Sequence, residues 1–144
     1  MIERLTPAHL PECARLYVET FNAPPWNEAW REEDATQRLK DYLDTPRSHG
    51  VGLTSPDGTM LGLALGHRER YGPVDHFLLK ELCIHPDHQR QGHGTTLMNA
   101  LESQLPDIHH WHLVTARNSE AATFYQKLNF RPAARMAVFV RTPQ

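Results

Sequence analysis

The sequence has few of the features that would place it outside the ordinary class of globular domains. It contains two cysteines, Cys13 and Cys83, which lie in a predicted amphipathic helix and a predicted buried strand. Free thiols in a reducing compartment are therefore expected, not a disulfide. No apolar run approaches the roughly 18 residues that a membrane-spanning helix needs. The first five residues also lack the apolar stretch of a secretory signal, so we expect a cytoplasmic location.

The chain also has no large excess of positive or negative charge. The formal net charge is −2, and Lys and Arg form no stripe interleaved with aromatic residues. Nothing in the chain would create the positive field that attracts nucleic acid, so neither nucleic acid nor a membrane is an expected partner. Internal repeats and composition breaks are absent, and the length of 144 residues suits one domain over residues 1–144.

The periodicity of apolar residues predicts an α/β fold with the element order β-α-α-β-β-β-α-β-α-β. The strand–helix–strand unit over residues 77–116 should be right-handed, with its two strands parallel. Together the elements predict a mixed sheet with helices on both faces. The predicted strands are residues 1–5, 51–54, 60–66, 77–84, 111–116 and 136–141, and the predicted helices are residues 7–21, 28–43, 94–105 and 118–128.

A glycine-containing loop follows the fourth predicted strand directly. It runs from Gln89 to Gly94 with the pattern Q-x-x-G-x-G, and an apolar helix-like segment comes next. Two glycines two residues apart allow a sharp turn and a close approach of the backbone to a ligand. The helix start would add unpaired N–H groups and a positive dipole end, which suit phosphate. A plain strand-to-helix turn is the alternative, whereas the Rossmann and Walker patterns do not fit.

The loop and its surroundings resemble motif A of the GNAT N-acetyltransferases, in which (Q/R)-x-x-G-x-(G/A) holds the pyrophosphate of acetyl-CoA. The stretch from Leu82 to His88 is similar to the family's L-x-V-x-P-x-x lead-in. The pattern N-x-x-A-x-x-F-Y-x-x-x-x-F, which starts at Asn118 and ends at Phe130, is similar to motif B. The resemblance implies a mixed, mostly antiparallel sheet in which one parallel strand pair splays apart and admits the pantetheine arm.

The resemblance also implies which residues bind acetyl-CoA. In the family, the main chain of the motif-A strand bonds the pantetheine amide and the acetyl carbonyl, and an N–H aimed there would stabilise an oxyanion. In this sequence the residues at the matching cofactor-binding positions are Leu82, Cys83, Ile84, Gln89, Arg90, Gln91, Gly92, His93, Gly94, Thr95, Asn118, Ala121 and Phe124. Which N–H faces the acetyl group is left open by the sequence.

The catalytic roles rest on two residues. Tyr125 matches the motif-B tyrosine that protonates the departing thiolate, and a phenol is a suitable donor because it is neutral at pH 7. The alternative role for Tyr125 is that of an aromatic core residue beside Phe124. Glu81 is the best acidic candidate for the base that deprotonates the amine, although a structural ion pair with a nearby Lys or Arg is an equal alternative. His85, His110 and water remain other candidate bases.

The expected acceptor is a primary amine of a small molecule or peptide, and the acetyl group is expected to pass to it directly from acetyl-CoA. Trp26 lies in the segment that walls the acceptor pocket in the resembled fold, and it is the predicted substrate contact. The acidic residues from Glu28 to Asp34 would favour a cationic amine if they face that pocket. Cys83 as an acyl carrier is a minor alternative, and a homodimer is left open.

Two rival functions follow from other features. A CoA-binding sensor without turnover would use the same loop but would not need Tyr125. A metal-binding protein would use the ten histidines, but they lack the paired Cys/His spacing of zinc sites and no H-E-x-x-H motif occurs, so no metal is expected.

Overall fold

A five-stranded sheet organises the chain from Met1 to Leu113, the larger of two compact units into which it divides; the second begins at Val114. The computed structural model describes residues 1–143. The strand order is β1-β2-β3-β4-β5, and neighbouring strands are antiparallel except for the parallel pair β4 and β5. The strands are β1 (Ile2–Arg4), β2 (Ser48–Thr54), β3 (Met60–Tyr71), β4 (Val74–Ile84) and β5 (Trp111–His112).

Four helices accompany the sheet. They are α1 (Leu10–Phe21), α2 (Glu32–Asp44), α3 (His93–Ser103) and, in the second unit, α4 (Glu120–Lys127). Short 3-10 turns at Pro7–His9 and Pro86–His88 precede α1 and α3. The predicted α/β class with a mixed sheet is confirmed. The second helix begins at Glu32 and not at residue 28, because the side chain of Asn22 holds the backbone of Trp30 outside the helix.

The two faces of the sheet carry different helices. Leu63 and Leu65 of β3 belong to one buried cluster with Leu16 of α1 and Leu39 of α2. Side chains alternate across a strand, so Gly62 faces the opposite side. A Cβ atom at Gly62 would lie 3.0 Å from Cδ1 of Leu97 in α3. Helices α1 and α2 therefore cover one face, and α3 covers the other.

A β-bulge in β4 changes the face to which its side chains point. Leu65 pairs with Glu81 but Gly66 pairs with Leu79, so Lys80 has no partner on β3. A Cβ atom at Gly66 would lie 2.6 Å from the Phe77 ring, on the same face as α3. Glu81, paired with Leu65, points to the α1 and α2 face instead. The bulge thus separates the upstream half of β4 from the half that carries the predicted site.

The parallel pair splays soon after it forms. In the described part of the chain, β5 pairs with β4 only at Phe77 and Leu78, while β4 continues to Ile84. The Phe77 N–H donates to the carbonyl oxygen of His110 at 2.9 Å. The predicted strand 111–116 is accordingly shorter than expected, because its later residues leave the ladder. The β4 edge beyond Leu78 has no β5 partner.

The second unit contains α4 and chain without further helices or strands among the described residues. Ser119 caps α4: its hydroxyl accepts from the Ala122 N–H at 3.0 Å and donates to the Ala116 carbonyl at 2.7 Å. The predicted strand over residues 136–141 is wrong, since these residues form no strand. Its residue types favour extended backbone, but a strand exists only where a neighbour supplies ladder hydrogen bonds. The described helices include none that is long and apolar enough to span a membrane.

We expect Gly66→Ala to destabilise the protein strongly. The new Cβ would lie 2.1 Å from the Leu78 carbonyl oxygen, which is backbone of the neighbouring strand and cannot rotate away. Overpacking of this kind costs about 1–3 kcal/mol or more, and urea unfolding would measure the loss. Gly72→Ala is the matched control, because its surroundings are open within 4 Å and only its φ of 63° is strained. Equal losses for both variants would contradict the close strand contact.

Candidate active site

The glycine loop turns into α3 at Gly92. Gly92 is the residue before the helix, with φ 82°, in the left-handed region that favours glycine. A Cβ atom built on Gly92 would meet nothing within 4 Å, so the space above it is open. Arg90, two residues earlier, also has a positive φ of 63°. The loop therefore bends twice and presents backbone instead of side chain at Gly92.

The first turn of α3 leaves amide donors available. No side chain caps this helix end, and the Thr96 N–H is bonded to the Gly92 carbonyl at 3.0 Å. Within residues 1–143, the amides of His93 and Thr95 have no acceptor in the protein. Such donors, together with the positive end of the helix dipole, suit an anion. The residues here fit the phosphates of a CoA-type cofactor.

The free edge of β4 offers a second set of backbone groups. The His85 N–H donates to the Leu61 carbonyl on β3 at 2.8 Å. Hydrogen-bonding directions alternate along a strand, so the N–H groups of Leu82 and Ile84 point away from β3 to the edge that β5 leaves. The Gln89 side-chain amide donates to the Ile84 carbonyl at 2.9 Å on this edge. Gln89 therefore ties the glycine loop to the strand.

Glu81 is a buried carboxylate with defined partners. The residue is 8% exposed, and its Oε1 accepts a hydrogen bond from Nε of Arg38 at 3.1 Å. Burial raises the pKa of Glu81 although the positive charge of Arg38 opposes this, and the nearby Glu28 charge raises it further. Glu81 therefore forms the ion pair of one interpretation and has the raised pKa that would suit the general base of the other.

Arg38 connects Glu81 to an aromatic wall. Its guanidinium carbon lies 5.6 Å from the centre of the Trp30 ring and 5.2 Å from that of Tyr42. The Tyr17 ring packs edge-on against Trp30, with ring centroids 4.9 Å apart. The wall, formed by Tyr17, Trp30 and Tyr42, holds the guanidinium by cation–π contacts while its side chain remains 40% exposed.

The segment between α1 and α2 is closed by hydrogen bonds. The Asn22 side chain accepts from the Trp30 N–H at 2.8 Å and donates to the Trp30 carbonyl at 3.0 Å. Trp26, the predicted substrate contact, is 39% exposed and packs against Phe21 at 5.7 Å between ring centroids. It lies in the same segment as Trp30 but outside the wall. Its contact with a substrate stays a prediction.

The acidic run at the start of α2 is engaged locally. Arg31 pairs with Glu33 and with Asp34, both at 2.8 Å. Carboxylates in the first turn of a helix are also stabilised by its dipole. These contacts explain why the run occurs where it does without any substrate. Its negative charge is therefore a weak argument for a polycationic acceptor.

The two histidines considered as bases have other contacts. His85 Nδ1 accepts from the Asp87 N–H at 3.1 Å, so its proton lies on Nε2, which is 2.9 Å from Glu19. Both ring nitrogens are therefore used. The carbonyl of His110 bonds Phe77, four residues before Glu81, which is about 13 Å along the strand. His85 and His110 are both less suitable bases than Glu81 in this arrangement.

Several histidines gather at the other end of β4. His76 Nδ1 is 2.9 Å from His112 Nε2, and its ring stacks with that of Tyr71. Burial and the neighbouring histidine charges lower the pKa of His76. Among the described residues, no group of three or more His, Cys, Asp or Glu side chains has an arrangement that would hold a metal ion.

The cysteines are packed in the core. Cys83 is 5% exposed and Cys13 is 1% exposed, and both are free thiols. Burial raises the pKa of Cys13 to about 12 and raises that of Cys83 well above its ordinary value. A nucleophilic thiolate is disfavoured in such surroundings. The side chain of Cys83 is thus poorly suited to carry an acyl group, and its backbone N–H and C=O groups face β3 and not the free edge.

The remaining predicted residues lie in the second unit. Asn118 has φ 56° and precedes the N-cap Ser119 of α4. Tyr125, half-buried in α4, has Phe124 and Phe130 as ring neighbours at 5.2 and 5.7 Å between centroids. Ala121 lies one turn before Tyr125 on the same helix. Their roles toward the cofactor stay predictions.

The sequence interpretation did not single out Arg38, Tyr17 or Trp30 for the site. A signal for Arg38 is present in α2, where the buried residues are Ala35 and Leu39. Residues 35, 38, 39 and 42 share one helix face, and Arg38 is the charged member of that stripe. A charge on an apolar face indicates a buried partner, but only the sheet reveals that this partner is Glu81.

Comparison with known proteins agrees with this geometry. A family model described as the acetyltransferase (GNAT) family matches residues 10–130. No curated protein matches the sequence.

Solved structures share the fold at low identity. A possible acetyltransferase from Clostridium difficile 630 superposes with a TM-score of 0.81 at 14% identity, over 100% of this chain and 98% of that one. The ribosomal-protein-alanine N-acetyltransferase of Brucella melitensis biovar Abortus 2308 gives 0.74 at 15% identity, over 99% of each chain. An aminoglycoside N-acetyltransferase in complex with CoA gives 0.73 at 14%, over 98% and 93%. The family match covers most of the sequence, and the chain therefore belongs to the GNAT acetyltransferase family and is an acyltransferase.

Proposed function

We propose that the protein is an acetyl-CoA-dependent N-acetyltransferase that transfers the acetyl group directly to a primary amine of a small molecule or peptide. The observation that carries the proposal is the junction of the uncapped α3 start with the free β4 edge. Amide donors of His93 and Thr95 lie at one end, and those of Leu82 and Ile84 lie along the other. An elongated ligand with phosphates at one end and a carbonyl at the other matches this arrangement.

When bound, acetyl-CoA would supply the thioester carbonyl that the amine attacks. The Leu82 or Ile84 N–H would hold the carbonyl oxygen as negative charge develops on it. The α3 amides would hold the phosphates, with Gln89, Arg90 and Gln91 around them. Asn118, Ala121 and Phe124 would line the cofactor, as the motif-B resemblance implies.

Two proton movements complete the reaction. The ammonium form of the acceptor must lose a proton before it attacks, and Glu81 would accept it at a carboxylate oxygen. Tyr125 would donate its hydroxyl proton to the departing sulfur. No acyl group passes through Cys83, whose thiol is buried and neutral. The reducing compartment expected for two free thiols agrees with a cytoplasmic location.

Amine acceptors are supported by the proteins that share the fold. One is a ribosomal-protein-alanine N-acetyltransferase, and another is an aminoglycoside N-acetyltransferase. Thiol release from acetyl-CoA across a panel of amino acids, peptides, polyamines and aminoglycosides tests the proposal. A CoA-binding sensor would bind acetyl-CoA but would release no thiol in the presence of any amine of the panel. That result would overturn the proposed reaction.

Acetyl-CoA should raise the melting temperature of the wild-type protein, and Gly92→Val should abolish the rise. At about 100 times its Kd, a ligand adds about 2.7 kcal/mol of stability. A valine at Gly92 would fill the open space where phosphate meets backbone. Gly58→Val is the control, because Gly58 also has a positive φ, 87°, and open surroundings but lies in the β2–β3 turn. A folded Gly92→Val protein with undiminished affinity would mean that the loop is only a turn.

Tyr125→Phe should lower kcat by roughly 10²-fold while the Kd for acetyl-CoA changes little. The change removes the proton donor and keeps the ring that packs against Phe124 and Phe130. Steady-state kinetics and calorimetry give the two quantities. Tyr71→Phe, at a 65% exposed position, removes a phenol elsewhere and should leave both unchanged. Wild-type turnover by Tyr125→Phe would exclude Tyr125 as the acid.

The pH–rate profile should have an acidic limb that Glu81→Gln removes. A base works only when deprotonated, so kcat/KM must fall as the pH falls through the pKa of Glu81. Burial raises that pKa, so the limb should lie above the ordinary value of about 4.3. Glu19→Gln, which removes the partner of His85, is the control and should leave the limb in place. A limb that follows Glu19→Gln and ignores Glu81→Gln would assign the base to His85.

A further inference from the structure

The Arg38–Glu81 pair determines which charges an acceptor can bring to Glu81. The two side chains are 3.1 Å apart, so a positive and a negative charge lie side by side at the place where the amine must lose its proton. An ammonium group attracted by Glu81 is repelled by Arg38 at nearly the same distance. A purely cationic acceptor therefore gains little from this pair.

Arg38 has donors to spare. In the described residues, its only hydrogen bond is the one from Nε to Glu81. An arginine carries five N–H donors, so the two Nη groups keep four without a protein acceptor. The side chain is 40% exposed, so these donors are reachable from solvent.

The guanidinium is also held in one orientation. The ion pair fixes its Nε edge, and the rings of Trp30 and Tyr42 lie against it at 5.6 and 5.2 Å. Because the side chain is already ordered, ligand binding would cost little further side-chain entropy at Arg38. Its planar Nη pair matches a carboxylate, which accepts two parallel hydrogen bonds.

The charges around the pair are balanced. Lys80 lies 5.8 Å from the centre of the Tyr42 ring, and Glu28 accepts the indole N–H of Trp30 at 2.9 Å. Lys80 and Glu28 thus add one positive and one negative charge to the surroundings of Arg38 and Glu81. A ligand that carries both an ammonium and a carboxylate meets a complementary charge for each.

We propose that Arg38 is the acceptor-recognition residue of this enzyme and that its acceptor is a zwitterion of the amino acid type. The acceptor amine lies toward Glu81, and its carboxylate receives two hydrogen bonds from the Nη groups of Arg38. This inference rests on the proposed acetyltransferase function and narrows its acceptor. It favours amino acids over polyamines and aminoglycosides, which offer Arg38 no anion.

The test compares each L-amino acid with its own carboxamide as the acceptor in thiol release from acetyl-CoA. The pair differs only in the carboxylate. At pH 8.5 the wild-type kcat/KM should favour the preferred amino acid over its amide by at least tenfold. Arg38→Gln should reduce this ratio to nearly one by raising KM for the amino acid, with the amide little affected. Arg38→Lys, which keeps the charge without the planar fork, should give an intermediate ratio.

Lys40→Gln is the matched control. It removes one cation from the same helix, where Lys40 pairs with Asp44 on the exposed side, and it should leave the ratio at the wild-type value. The Kd for acetyl-CoA, measured by calorimetry, should be the same in all four proteins. Equal loss of kcat/KM for acid and amide in Arg38→Gln would assign Arg38 a structural role and overturn the proposal.

The outcomes separate the two levels of the proposal. If only polyamines or aminoglycosides release thiol, or if amides exceed their amino acids, the zwitterion inference is wrong and the acetyltransferase function stands. If acetyl-CoA binds but no amine in either panel releases thiol, the proposed function itself fails, and the acceptor inference fails with it.

Discussion

The close contact between β3 and β4 at Gly66 is the constraint on which the candidate site depends. Only a residue without a side chain leaves room for the Leu78 carbonyl, and next to this contact Lys80 is left unpaired. The bulge reverses the phase of β4, so Phe77 faces α3 while Glu81 faces α1 and α2. A strand without the bulge would bury both side chains on one face, and Glu81 would then point away from Arg38.

The short pairing between β4 and β5, on the other side of β4, leaves backbone groups available for a ligand. Because β5 pairs only at Phe77 and Leu78, the backbone groups after the bulge keep a free edge. That edge leads directly into the glycine loop and the uncapped start of α3. One strand therefore supplies a carboxylate on its face and amide donors on its edge, and these are the two kinds of group that acetyl transfer to an amine requires.

The charge arrangement links chemistry to selectivity. Burial makes Glu81 more basic, which suits proton removal, but burial of a lone carboxylate is costly. Arg38 offsets part of that cost, because its positive charge favours the ionised form of the carboxylate. The same guanidinium changes what can approach Glu81, because it repels a bare cation and attracts an anion. In the proposed mechanism, the residue that stabilises the base therefore also selects the acceptor.

The order of the elements up to the last helix and the parallel strand pair could be predicted from the sequence, because the spacing of apolar residues is a local property. Gly92 was singled out by its motif and Glu81 as the acidic residue of the motif-A strand, and their roles in cofactor binding and catalysis stay predictions. The remaining features depend on contacts between distant parts of the chain. The predicted strand 136–141 has residue types that favour a strand, but strand formation depends on a neighbour. Arg38 lies 43 residues from Glu81 in the chain, and only the packing of α2 on the sheet brings the two charges together.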